Sequence, residues 1–172
     1  LFKDYEVVHA GYFNDYILAD PNRLLPVDAL EEDVKEGKIK GIDHLTYAMP
    51  ACTTVSKKCE ENGAIIAKDI VEKGEADAVI LTSTWGTSTR CGSTIARQIE
   101  KLGVPTVQIT AVPNIAEMVG VNRILTGVAV PNPVGDPSLT PDQEKILRRK
   151  IVDKALEMLQ TDYEKSTVVT MD

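Results

Sequence analysis

The run Ser83-Thr84-Trp85-Gly86-Thr87-Ser88-Thr89-Arg90-Cys91-Gly92 concentrates hydroxyls, a guanidinium, a thiol and the only tryptophan of the chain. A short apolar run precedes it and a helical pattern follows, so its second half meets a helix amino end. Free backbone amides and the positive end of the helix dipole favour an anion there. Beside Arg90 at such an end, the Cys91 thiol is expected below its usual pKa of about 8.5. The other reading of Cys91 is a small buried residue packing helix on strand. Thr87, Ser88 and Thr89 are equally readable as helix caps. Trp85, beside Gly86, is either a pocket wall or a core plug.

Other reactive groups are sparse. His9 can orient a substrate carboxylate, pass a proton or serve structure alone. His44 falls in a predicted strand, as a core or edge histidine. Cys52, at a second predicted strand end, can face Cys91 across a sheet. Two opposed thiols would suit a cofactor-independent racemase or isomerase. With Cys59 the thiols number three, which argues against a disulfide framework. Structural zinc usually takes two tight pairs, and the Cys52/Cys59 spacing offers none. Asp20, Arg23 and Asp28 are expected to pin a loop through ion pairs, with a substrate contact the other reading of Arg23.

The elements that position these groups follow from periodicity. Ala76–Thr82 is an apolar, β-branched strand of the kind buried in parallel sheets. Ile95, Ile99 and Leu102 mark a helix stopped by Gly103, and Val104–Ile109 is the next strand, a right-handed βαβ unit. A helix over Val55–Lys73 is weakened at Gly63, with Gly41–Tyr47 as the strand before it. Asn114–Val119 is a helix closed by Gly120, and Arg123–Val130 a strand ending at Pro131. Thr140, Pro141 and Gln143 open a long final helix with a capping box. Leu1–Val8 reads as one more ordered element. Together they predict one α/β domain over residues 1–172, an open, mainly parallel, Rossmann-like sheet in three layers with helices on both faces.

The net charge of −7, spread along the chain, recommends neither nucleic acid nor an anionic membrane as partner. No apolar run approaches the roughly 20 residues of a membrane span. The expected location is cytoplasmic. Beginning at Leu1, the chain is expected to be the carboxyl-terminal part of something longer.

His9-Ala-Gly-Tyr12, Asp20-Pro-Asn-Arg-Leu-Leu-Pro-Val-Asp28, Ala76-Asp-Ala-Val-Ile-Leu-Thr-Ser-Thr84, Thr89-Arg-Cys-Gly92, Gly120-Val-Asn-Arg123, Pro131-Asn-Pro-Val-Gly-Asp-Pro137 and Leu147-Arg-Arg-Lys150 occur in order along nearly the whole chain. In these pieces it resembles the carboxyl-terminal part of the substrate-specific component B selenoprotein of glycine, sarcosine and betaine reductases. The resemblance implies reductive cleavage of the carbon–nitrogen bond of a small amino acid within an oligomeric complex. It also implies a partner subunit bearing a pyruvoyl group, selenoprotein A as acceptor of the carboxymethyl fragment, and no cofactor bound by this chain. The family's redox motif is selenocysteine, two residues, cysteine, two residues, cysteine. Aligned to it are Trp85, Ser88 and Cys91, which become the catalytic positions, with His9, Thr84, Gly86 and Arg90 expected around the substrate. Trp85 stands where selenocysteine would be: a UGA codon read as Trp, a deliberate replacement, or the mark of a relative without the redox pair. With Trp85 in place the family's nucleophilic step cannot occur, which leaves a non-catalytic docking subunit as a further reading.

Overall fold

Short β-branched runs that alternate with amphipathic segments pair through crossover helices, and among the described residues they form a four-stranded, parallel sheet. The computed structural model describes residues 6–9, 11, 13–49, 55–73 and 76–171. The elements in chain order are α1 (Asp15–Ala19), a 3-10 turn (Pro21–Arg23), α2 (Val27–Lys35), α3 (Ser56–Lys73), β1 (Val79–Ser83), α4 (Gly86–Lys101), β2 (Thr106–Thr110), α5 (Pro113–Val119), β3 (Arg123–Thr126), α6 (Pro141–Leu159) and β4 (Thr167–Val169). The strands lie side by side in that order. Val79 pairs with Thr106 and Ser83 with Thr110, so β1 and β2 end together beside the start of α4.

Pleating divides β2 between two layers. Val107 and Ile109, with Leu125 of β3, pack on Ile151, Ala155 and Met158 of α6. The alternate residues Gln108 and Thr110 bond to α4, and Ile124 packs with Ala96 of α4 and Ala116 of α5. Helices therefore cover both faces, in the three-layer, Rossmann-like arrangement expected. α3 leans on α4, and α2 on α6.

Local chemistry sets the helix ends. Thr140 accepts the Gln143 amide while the Gln143 side chain accepts the Thr140 amide, closing the capping box of α6. Gly120 ends α5 at φ 86°, the left-handed conformation glycine reaches without cost.

Three expectations are corrected. Gly41–Tyr47 is not a strand, because Asp43 takes the Leu45 amide at 2.9 Å and turns the chain locally. His44 is accordingly no core or edge histidine but an exposed ring 3.0 Å from Asp43. β3 stops at Thr126, not Val130. There the chain folds back on Pro133, whose carbonyl accepts the Val128 amide and would lie 2.8 Å from a Cβ built on Gly127. Of Leu1–Val8, residues 1–5 lie outside the described residues, and 6–8 adopt no regular element.

A second polar centre ties the amino-terminal segment to α6. The Arg148 guanidinium, 1% exposed, pairs with Asp20 at 2.7 Å and with Asp28, and reaches the Val134 carbonyl. Arg23 grips Glu144 through two bonds of 2.7 and 3.0 Å and donates to the Tyr16 carbonyl. The expected ion pairs of Asp20, Arg23 and Asp28 are therefore present, and Arg23 is engaged by protein groups rather than a cleft. Gly135 is required beside them: a Cβ there would meet Glu144 and Arg23 at 2.7 Å each.

Candidate active site

The end of β1 passes through Ser83 and Thr84 directly into α4, so the helix begins at Gly86 and the connecting loop is shorter than the sequence suggests. Trp85 is the N-cap residue, with extended backbone (φ −81°, ψ 171°) and no side-chain cap bond. Ser88, Thr89, Arg90 and Cys91 lie within the first two turns. Ser88 Oγ accepts the Thr84 amide at 3.1 Å, lies 3.3 Å from Thr84 Oγ1 and donates to the Trp85 carbonyl at 2.8 Å. The expected capping by Thr87, Ser88 or Thr89 is not seen: Ser88 serves the residues before the helix, and Thr89 turns inward.

Beneath this turn lies a polar network that the sequence reading missed. Thr89 and Thr110 hydroxyls meet at 2.7 Å, and the Ser93 hydroxyl lies 2.7 Å from both the Thr89 carbonyl and Gln108 Oε1, which share its one proton. The Gln108 amide donates in turn to Ser83 Oγ and the Thr89 carbonyl. Gln108 is fully buried and both ends of its amide are bonded, so the network fixes α4 on the strand ends while its hydrogen bonds offset the cost of burial. Gly92 permits the approach, since a Cβ there would lie 2.5 Å from Ser83 Oγ. The available signal was a lone glutamine within an apolar strand, with Thr89 and Ser93 one turn apart.

Above the turn, the Trp85 indole is 44% exposed. A Cβ built on Gly11 would stand 2.8 Å from His9 Cε1 and 3.7 Å from Trp85 Nε1, so imidazole and indole share the space over this glycine. His9 Nδ1 accepts the Gly11 amide at 2.8 Å, which places the proton of the neutral ring on Nε2. Gly86, Thr87 and Arg90 line an open groove of about 370 Å³ with Ile115, Met118 and Val119. The structure therefore gathers Trp85, Ser88, Thr84, Gly86, Arg90 and His9 around one helix end.

Cys91 stands apart from them. Ser88 reaches back to the backbone of Thr84 and Trp85, whereas Cys91 is turned into the seam with α3. There it is buried, in contact with Cys59. Burial, reinforced by the neighbouring Cys59, pushes the Cys91 thiol up to about 12, and Arg90 opposes this only in part. The expected lowering is thus reversed: the helix end does not compensate for removal from water. A thiol directed into this seam does not suit the two-thiol racemase. Cys52, expected to face Cys91, lies outside the described residues. Among the described residues, no group of three His, Cys, Asp and Glu side chains is disposed to hold a metal ion. No helix formed by them is long and apolar enough to cross a membrane.

Residues 2–84 match the family model described as glycine/sarcosine/betaine reductase selenoprotein B. The chain is 44% identical over 164 residues to the glycine reductase complex component B subunit gamma of Carboxydothermus hydrogenoformans, covering 95% of this chain and 38% of that one. Against two Peptoclostridium acidaminophilum proteins, identity is 36% to the sarcosine reductase complex component B subunit beta and 40% to the betaine reductase complex component B subunit beta. These cover 96% and 95% of this chain, and 38% and 37% of the relatives. The chain thus spans somewhat under two fifths of their length.

Proposed function

The chain belongs to the glycine/sarcosine/betaine reductase selenoprotein B family, and on that premise we propose that it forms the part of a cytoplasmic component B subunit that presents the nucleophile for reductive carbon–nitrogen cleavage, with residue 85 as a selenocysteine position. The observation that carries this reading is the N-cap itself. An N-cap side chain normally accepts a first-turn amide, and indole has no acceptor. A selenolate at the same place would take those amides and the positive helix end, which favours its charged form.

The other residues fall into roles around that position. Arg90, in the groove, pairs with the carboxylate of glycine, sarcosine or betaine. His9, with its proton on Nε2 and its ring beside residue 85, supplies a proton donor. Ser88, in reach of the backbone of residue 85, stands for the first cysteine of the family motif. A pyruvoyl group on a partner subunit supplies activation of the amine, and selenoprotein A receives the carboxymethyl fragment. This chain is proposed to hold no cofactor of its own.

As written, Trp85 excludes attack from this position. The test is the codon for residue 85 in the source gene together with the mass of the protein from its native host. A UGA codon and a selenium-bearing mass are expected; UGG with tryptophan in the native protein overturns the selenoprotein reading. A docking subunit is then favoured by the exposed apolar groups at the same helix end, Trp85 and the 85% exposed Met118. That second reading expects capture of the pyruvoyl-bearing subunit without thiol-dependent turnover.

A further inference from the structure

We propose that Cys59 and Cys91 form a redox-convertible pair, joined by a disulfide between α3 and α4 when a low-molecular-weight disulfide serves as oxidant. The two residues are 1% and 6% exposed and belong to one buried cluster. Their proximity follows from the helix packing. Gly63 of α3 faces Ile95 of α4 so closely that a Cβ on the glycine would lie 3.0 Å from Ile95 Cα. Four residues back on each helix, one turn on the same side, stand Cys59 and Cys91. Gly63, a weak helix former, here lets the two backbones approach closely one turn from the cysteines, and a disulfide requires Cα atoms about 4.4–6.8 Å apart. Cys59 stands near enough to raise the pKa of the Cys91 thiol.

The exchange balances within the pair and its oxidant. The Cys91 thiolate attacks one sulfur of the small disulfide and expels one thiolate, leaving a mixed disulfide on Cys91. The Cys59 thiolate then attacks the Cys91 sulfur and expels the second. Two electrons pass to the small disulfide, and the two cysteine protons end on the released thiols. Burial of both groups limits the rate to openings of α3 against α4, and the high pKa of Cys91 makes it faster toward alkaline pH. The inference rests on the α3–α4 packing and is independent of the identity of residue 85.

The test uses the whole chain with Cys52→Ser, which removes the third thiol. The native protein is incubated with oxidised glutathione, with and without urea below its unfolding transition, then acid-quenched, unfolded and alkylated. Expected are loss of both titratable thiols, a single cross-linked peptide pair containing Cys59 and Cys91, a raised unfolding temperature and full reversal by dithiothreitol. Cys59→Ala should instead halt at a glutathione adduct on Cys91. Two alkylated thiols after oxidation, or stable glutathione adducts on both cysteines of the paired protein, overturn the proposal.

Discussion

The helix end at residue 85 and the clasp around Arg148 are built from equally conspicuous sequence motifs, yet they differ in what remains for a ligand. Around Arg148, charges from four segments are satisfied by one another. Asp20, Asp28 and Glu144 surround the guanidinium, and Arg23 closes over Glu144. Around residue 85, the polar groups beneath the turn are equally saturated, but the turn itself opens to solvent through a half-exposed indole and a groove. A motif with its partners inside the fold holds the fold together, whereas one backed by a rigid network and open on its outer side can act on something else.

Arg148→Met breaks the closed region and carries the largest expected effect. It leaves Asp20 and Asp28 without their guanidinium, while Glu144 keeps Arg23, and should cost about 3–5 kcal/mol in denaturant unfolding. The same clasp predicts a pH dependence. Burial tends to raise the Asp20 pKa, but its hydrogen bonds from Asn22 and the Arg148 charge outweigh that, leaving it below 3.8. A carboxylate depressed on folding contributes stability that is present above the unfolded value and lost as pH falls below 3.8 through the folded value. Acid titration of unfolding should show this loss in the parent and a smaller one in Asp20→Asn.

Chemistry, by contrast, should appear only at the open region. In a Cys52→Ser background, Trp85→Cys should introduce a thiol that iodoacetamide alkylates at neutral pH at least about a hundredfold faster than Cys91, the difference expected between an exposed helix-end thiol and a buried one. Equal rates would erase the contrast between the two faces of α4. Smaller still is the support beneath the site. Gly92→Ala drives a methyl group against Ser83 Oγ, Leu81 and Gln108 and should cost about 1–3 kcal/mol by thermal unfolding. Ser88→Ala removes one part-buried and one exposed hydrogen bond and should cost about 0.5–1 kcal/mol, read by calorimetry of parent and variant.

Much of the scaffold is legible from periodicity, because the residues that decide a strand or helix are neighbours in the chain. β1, α4, β2, α5 and α6 all lie where apolar spacing puts them, and Thr140 and Gly120 end their helices by contacts within a few residues. β4 escapes because Thr167–Val169 is too short to show a period and forms only by pairing with β3. The start of α4 escapes because nothing in the side chain of Trp85 announces an N-cap.

The candidate site divides in the same way. Its place, at the end of an apolar strand where hydroxyls and glycine meet a helix, was determined by the sequence alone, since strand, turn and helix preferences are local. Which of its residues meet was decided by tertiary structure. Ser88 bonds back to the Trp85 carbonyl and His9 is brought beside the Trp85 indole, while Cys91 turns to Cys59 from a helix 32 positions earlier. The ionisation of Cys91 was likewise beyond reach of the sequence: a charged neighbour and a helix end predict a lowered pKa, and only packing reveals how far the thiol has left water.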